Sequence, residues 1–413
     1  MAAMRGHARI VLGTRPTALQ PVPRLGLIAV WDEANGAYED PHAPYPHART
    51  VASMRAEDGA ALLLGGYALS ADAVALVEHG WARLAQAPRG EVRERVPAMD
   101  VLTQERRDAE GGAGWHWMPG SVWRQLRRAL ERGPCAVVVP RAGYARAVAC
   151  ARCEAWAACR DCDSLLELPS AGADPRCIDE GHPQPDWHCP ECQGDALKHV
   201  RQGAERIAEQ LERMLGDIAL TVSTASTGIV ADGDVTGGLV LATPSALPAV
   251  AGGYAHVVIL DAGVPAGTGL GGELKAIRWW LSAAALARSR RDGGAVTIVG
   301  EVPPAVRKAL STWAPADAAL EDYRERATLG LPPHRRPLAL SGEAALVSDA
   351  IRRAGVVDDA TTTVIPGRDG TGVLVPRSRA QGAVDAIRAL QQEASRDGRE
   401  VRLRVDGPLM APG

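Results

Sequence analysis

The chain has 413 residues, 46% hydrophobic and 23% charged, with a formal net charge of −3. That balance is ample for a packed core and suggests two or three domains. It excludes a globally basic nucleic-acid binder while leaving room for local basic patches. The opening MAAMRGHARIVLGTRP lacks the apolar stretch of a secretory signal, and no run approaches the ~18 apolar residues of a membrane span. Of the eight cysteines, seven fall in one short window. In a reducing compartment such clustering argues for metal over disulfides, so a soluble, cytoplasmic protein with no membrane partner is expected. The excess of Arg over Lys and the absence of Phe read as the coding bias of a GC-rich genome.

From the N-terminus, residues 8–14 (ARIVLGT) and 25–30 (LGLIAV) read as buried strands, 47–57 as a helix, 61–66 (ALLLGG) as a strand and 70–85 as a helix. This alternation predicts a parallel sheet with helices on its faces. Residues 91–114 are polar and Gly-rich and are predicted to be a linker or loop. A second α/β stretch follows, with an amphipathic helix at 121–133 and a strand at 135–140 (CAVVVP). After the cysteines come a helix at 203–216, strands at 218–223, 237–243 and 256–261, a helix at 274–290 and a strand at 295–300. A Pro-rich joint at 329–337 precedes a small third domain, in which strands at 373–378 and 400–406 flank a helix at 381–395.

The cysteines interrupt this second layer in the order Cys150-x-x-Cys153, Cys159-x-x-Cys162, a lone Cys177, then Cys189-x-x-Cys192. A CxxC knuckle points two thiolates at one ion, and two knuckles complete a tetrahedral zinc site. Three knuckles plus Cys177 exceed one zinc and fall one ligand short of two. The missing ligand should lie near Cys177, where Glu180 occupies the second place of a CxxC spacing and His182 and His188 are close. The pattern predicts two zincs, one held by three cysteines plus Glu180 or His182. A single surviving zinc and an iron–sulfur centre are the competing readings. A closed thiolate site leaves no open position for water, so catalytic zinc is not expected. Cys135, in an apolar strand, reads as a small buried hydrophobe.

The run PRAGYARAVACARCEAWAACRDC (140–162) resembles the entry to the zinc insert of the primosomal replication restart family, the PriA or primosomal protein N′ proteins. GAE (203–205), EDYRERATLGLPP (321–333), VRLRVDGPLM (401–410) and ARIVLGTRPTAL (8–19) resemble further family segments in the same order. The resemblance implies a protein that recognises stalled replication forks and helps reload the replication machinery. It also implies the fold of a superfamily 2 helicase, with two RecA-like lobes and a zinc insert in the second. In that family the first and last knuckles share one zinc and the middle cysteines share the other. Carried over, Cys150, Cys153, Cys189 and Cys192 form a complete site, and Cys159, Cys162 and Cys177 form one with Glu180 in place of a cysteine.

The chain departs from the family wherever nucleotide chemistry is concerned. No GxxxxGK[ST] phosphate loop occurs. Where the family has a DEEH box, AVWDEANGAY (29–38) places Trp31 at the metal-binding Asp and Ala34 at the His, although a one-residue slip would restore Asp32-Glu33. GGYALS (65–70) replaces the Ser-Ala-Thr motif. AAALARSR (283–290) keeps Arg288 and Arg290 of the γ-phosphate sensor but lacks its Gln and both glycines. The chain begins after the family's N-terminal DNA-binding domain and Walker loop, which suggests a late start codon or a lost front. Together these losses imply a degenerate, actinobacterial-like form without intact helicase motifs, in which ATP binding is vestigial at most.

Binding is then the expected activity, with partners in forked or single-stranded DNA and in other primosome and replication proteins. Arg124, Arg127, Arg128, Arg132, Arg141, Arg146, Arg152 and Arg160 make a locally basic region suited to phosphate contact. Thr14 and Arg15 match a helicase motif that touches the DNA backbone. Trp115, Trp117 and Trp123 could stack on bases, although core packing is the expected role of all three. The expected architecture is α/β: a remnant helicase lobe over 1–118, a second lobe over 119–330 carrying a zinc-ribbon insert at 149–196, and a small α+β domain over 331–413. The alternatives are an ATP-dependent 3′–5′ helicase with its N-terminal part missing from this chain, and a zinc scaffold with no DNA role.

Overall fold

A computed structural model describes residues 6, 8–42, 45–140, 148–153, 155–162, 164–168, 173–178, 181–199, 204–267, 269–355, 361–366 and 370–406. The chain forms two compact units, residues 1–85 together with 315–413, and residues 86–314.

The first unit opens with β1 (Leu27–Trp31), α1 (Ala48–Ala56), β2 (Ala61–Gly65) and α2 (Ala71–Glu78). β1 and β2 pair in parallel from Leu27 opposite Ala61 to Trp31 opposite Gly65, and α1 packs against both. Ser70 caps α2 by accepting the Ala73 N–H. The strand expected at 8–14 is absent. Ile10 and Leu12 are 79% and 90% exposed, because the run has no neighbouring strand to satisfy its backbone, and Pro16 then starts a 3-10 helix at Arg15–Leu19. α2 also stops short of the expected 85, where Gly80 turns the chain at positive φ.

The second unit is built on a six-stranded, all-parallel sheet. Its elements are α3 (Arg89–Arg95), β3 (Ala98–Val101), α4 (Gln104–Ala109), α5 (Gly120–Leu130) and β4 (Cys135–Val138). Next come the insert strands β5 (Val148–Cys150), β6 (Leu166–Glu167), β7 (Arg176–Cys177) and β8 (Leu197–His199). The layer resumes with α6 (Ala204–Leu215), β9 (Leu220–Ser223), β10 (Leu239–Ala242), β11 (His256–Ile259), α7 (Gly272–Ala284), β12 (Ala295–Ile298) and α8 (Pro304–Thr312). The strand order is β3-β12-β11-β4-β10-β9. β4, β10 and β11 are buried at every residue, which is why they read as apolar runs, with His256 at the start of β11 the one polar side chain. The 91–114 stretch is not a linker: it supplies β3, an edge strand paired with β12. α7 ends at Ala284 and not near 290, because the next residues return to the sheet, with the Tyr254 N–H donating to Leu286 O and the Arg288 N–H to Tyr254 O.

The chain then completes the first unit with α9 (Pro315–Leu329), β13 (Arg335–Gly342), α10 (Ala344–Arg353), β14 (Thr363–Pro366), β15 (Thr371–Pro376), α11 (Arg377–Arg396) and β16 (Val401–Val405). The four strands are antiparallel in the order β14-β15-β13-β16. Leu338, Leu340, Val373 and Val375 meet Leu346, Ile387 and Leu390 of α10 and α11 in one core. Among the described residues, no helix is long and apolar enough to cross a membrane.

Candidate metal centre

The insert leaves the sheet after β4 and returns through α6. Its core is mostly thiols and small apolar groups: Val148, Cys150, Ala157, Cys159, Leu166, Cys177, Trp187 and Cys189 are all buried. So few apolar side chains cannot hold a fold of this size, and a structural metal is the ordinary remedy. Pairing of β5 with β8 sets Cys150 opposite Leu197, which brings the first knuckle beside the last.

Cys150, Cys153, Cys189 and Cys192 converge, with their four sulfurs within 4.8 Å of one another. The Cys150–Cys192 and Cys153–Cys189 sulfur separations are 3.4 and 3.5 Å. A disulfide needs about 2 Å, and all eight cysteines are free. Four sulfurs about 2.3 Å from one tetrahedral zinc lie about 3.8 Å apart, so the group is close to the size a zinc requires. The two thiols of the first knuckle differ, and hydrogen bonds with the neighbouring sulfurs push the Cys153 thiol up to about 12. N–H donors from the Cys153 and Arg152 backbones, with the neighbouring thiols, pull the Cys150 thiol down to about 6. Gly194 passes so close that a Cβ there would sit 3.4 Å from both the Cys150 and Cys192 sulfurs. A side chain at 194 would crowd the ligands.

The second group joins Cys159, Cys177 and His182. His182 Nε2 is 3.2 Å from the Cys159 sulfur, and the Cys162 and Cys177 sulfurs are 3.5 Å apart. The hydroxyl and N–H of Ser164 hold the Cys162 thiol below its ordinary range. A tight turn brings the histidine back: the Gly181 N–H donates to Cys177 O and the Cys177 N–H to His182 O. Asp161 Oδ2 lies 2.9 Å from His182 Nε2 and accepts from Gln184 Nε2 at 2.8 Å. Asp161 thus engages the same Nε2 that faces Cys159, so this carboxylate competes for the ligating nitrogen and does not support the ring from its far side. Glu180 lies outside the described residues. His188 turns away, with its Nδ1 on Asp186 O. Cys135 lies apart in β4, where burial pushes its thiol up to about 12.

The positions at which the resemblance puts nucleotide chemistry are otherwise engaged. Trp31 is 62% exposed at the end of β1, lies over Gly65 and meets Tyr67 edge-to-face at 5.6 Å. Asp32 accepts from Asn35 Nδ2 at 2.9 Å. Glu33 is fully buried; its carboxylate accepts from the Arg49 guanidinium and from the Ser70 N–H and hydroxyl. Arg288 ties loops together, donating to Gly253 O and Arg132 O. Of the DNA candidates, Thr14 is exposed. The Arg15 guanidinium donates to Ala37 O and Glu39 O and pairs with Asp40. Arg141 and Arg146 lie outside the described residues.

The chain is 39% identical over 364 residues to a protein of Mycobacterium bovis named "Probable replication restart protein PriA", covering 87% of this chain and 55% of that one. The chain is a PriA homologue. The Mycobacterium leprae PriA is 36% identical over 368 residues, 87% of this chain and 56% of its own. The Bacillus subtilis PriA is 27% identical over 228 residues, 54% of this chain and 28% of its own. The chain therefore spans about half the length of the mycobacterial PriA proteins that it matches. No protein-family model matches it.

Proposed function

We propose that this PriA homologue is a zinc-containing, DNA-binding replication restart protein that works without ATP hydrolysis. The observation that carries the reading is Glu33. Restoring an Asp-Glu metal pair by a one-residue slip needs the Glu33 carboxylate free for chemistry, and it is instead sealed against Arg49 and Ser70 with no exposure. A magnesium-bound triphosphate requires an acid pair, a phosphate loop and a positioned arginine. Trp31 occupies the first acid position, and Arg288 is spent on loop carbonyls.

Two zincs organise the insert, the first on Cys150, Cys153, Cys189 and Cys192, the second on Cys159, Cys162 and Cys177 with His182. The metals act structurally, since each set fills its coordination sphere with protein ligands. Forked or single-stranded DNA is the ligand, and other primosome proteins are the partners. Thr14, Arg141 and Arg146 contact the DNA backbone, while Arg15 orders the loop at 37–40. Residues 86–314, which share the six-stranded sheet and the insert, serve as the second lobe, the residues before 86 as the remnant first lobe, and those from 331 as the C-terminal domain.

The test is purified full-length protein with forked DNA. The reading expects salt-dependent fork binding, about two zincs per chain, and an ATPase rate that DNA does not stimulate. DNA-stimulated ATP hydrolysis abolished by Glu33→Gln would establish a motor instead. Absence of fork binding at low salt would leave a zinc scaffold.

A further inference from the structure

Three tryptophans stand close in sequence, and the structure separates them. Trp117 and Trp123 pack against the core of the six-stranded sheet, whereas Trp115 is 49% exposed. It is nonetheless held. Its indole N–H donates to Asp108 Oδ1 at 3.0 Å, and the Arg107 guanidinium lies 4.3 Å from the ring centroid. Arg107 is itself fixed, donating from Nε to Gly114 O at 3.0 Å. Gly114 packs directly on α4: a Cβ there would fall 1.9 Å from Arg107 O. A large, half-exposed aromatic is thus held by two side chains at the surface, one of them itself fixed by Gly114.

The next helix carries exposed arginines. Arg124, Arg127 and Arg128 are exposed on α5. Their i, i+3, i+4 spacing puts them on one helix face, and among the described residues none of them makes an ion pair. Arg127 lies over the Trp123 ring at 5.9 Å. Arg124 borders Gly120 next to Ala113, on the loop that leads to Trp115. Two acids share this stretch: Asp108 holds the indole, and Glu110 accepts from the N–H and hydroxyl of Ser121 at the start of α5 and also feels the Arg124 charge. Gly111, Gly112 and Ala113 are exposed and small, which leaves a planar group room to approach.

We propose that Trp115, backed by Arg107, is a stacking platform for an unpaired base, and that Arg124, Arg127 and Arg128 hold the phosphates of the same single strand. A preorganised aromatic edged by unpaired guanidiniums is the arrangement that binds single-stranded nucleic acid without sequence preference. A protein-binding centre would be apolar and depleted of charge, whereas Trp115 is flanked by Gly114, the Arg107 guanidinium and the Asp108 carboxylate. A duplex offers no free base face to the ring, so the site selects single strands. The proposal rests on the DNA-binding reading and assigns it a place.

The experiment is fluorescence anisotropy of labelled oligo(dT), a duplex of the same length and forked DNA, with zinc content and thermal melting as folding controls. Trp115→Ala should weaken oligo(dT) binding about tenfold at an unchanged salt slope, Trp115→Phe should retain most of the affinity, and duplex binding should not move. The triple variant R124A/R127A/R128A should lower the salt slope by about two. If folded Trp115→Ala binds oligo(dT) as the wild type does, the platform is overturned and the DNA-binding reading stands. If the wild-type protein binds neither oligo(dT) nor forks, the reading itself falls.

Discussion

Glu33 closes on Arg49 at 2.7 Å, and none of the glutamate is exposed. The same guanidinium reaches Asp72 at 2.7 Å and donates to the backbone carbonyl of Glu33. One arginine thus ties the end of β1 to the start of α2, and the Ser70 N–H and hydroxyl fill the remaining acceptor capacity of the carboxylate. An acid that would serve metal chemistry in a motor is here a strut of the fold.

Breaking this pair should be costly, because it strands a buried charge. Arg49→Met should destabilise the first unit by about 3–5 kcal/mol, read as a drop in the urea midpoint at constant m-value. The double variant E33L/R49M should recover part of the loss, since no buried charge is left unpaired, while the Ser70 N–H loses its acceptor and the exposed Asp72 its partner. A double variant no more stable than Arg49→Met alone would mean that the pair is not the source of the effect.

The second metal group makes a separable prediction. Wild-type protein should carry about two zincs, and His182→Ala should carry about one, with the first site intact. Glu180→Ala should keep two. Cys150→Ser or Cys192→Ser should unfold the insert, because structural zinc supplies folding free energy. Elemental analysis after gel filtration reads the stoichiometry, and protease sensitivity between residues 148 and 199 reads the folding. Loss of a zinc in Glu180→Ala but not in His182→Ala would reassign the fourth ligand.

What the sequence disclosed follows from where the physics is local. β4, β10 and β11 were legible because both faces are covered, so every residue but His256 is apolar. The cysteines were legible because a knuckle's spacing is set by the metal. The last member of the second group was legible only as a choice between Glu180, which has the knuckle spacing, and His182, which reaches Cys159 through the backbone turn from Cys177 that no pattern encodes. β3 was missed because four residues including Asp100 carry no periodicity, and only the neighbouring β12 makes them a strand. Residues 8–14 failed in the opposite sense, an apolar run without a partner strand. The tryptophans were treated alike, since exposure of Trp115 depends on how Gly114 packs on α4.

The core of the six-stranded sheet carries an acid sensitivity. His256, 3% exposed on β11, shares a hydrogen bond of 2.9 Å with the Thr297 hydroxyl. Burial, and then the Arg132 charge, push it down to about 4 from an ordinary 6.5. Above pH 6.5 the imidazole is neutral whether folded or unfolded and contributes no slope. Between 6.5 and 4 the unfolded chain takes up a proton that the folded chain refuses, so stability falls with pH, by about 3 kcal/mol in the limit. Below 4 both states are protonated and the contribution flattens. Zinc loss from the thiolates runs in the same direction, so the informative quantity is the stability difference between wild type and His256→Gln across this range. Because the zinc contribution cancels in that difference, it should shrink as pH falls from 6.5 to 4. A difference constant with pH would place the acid sensitivity in the metal centre alone.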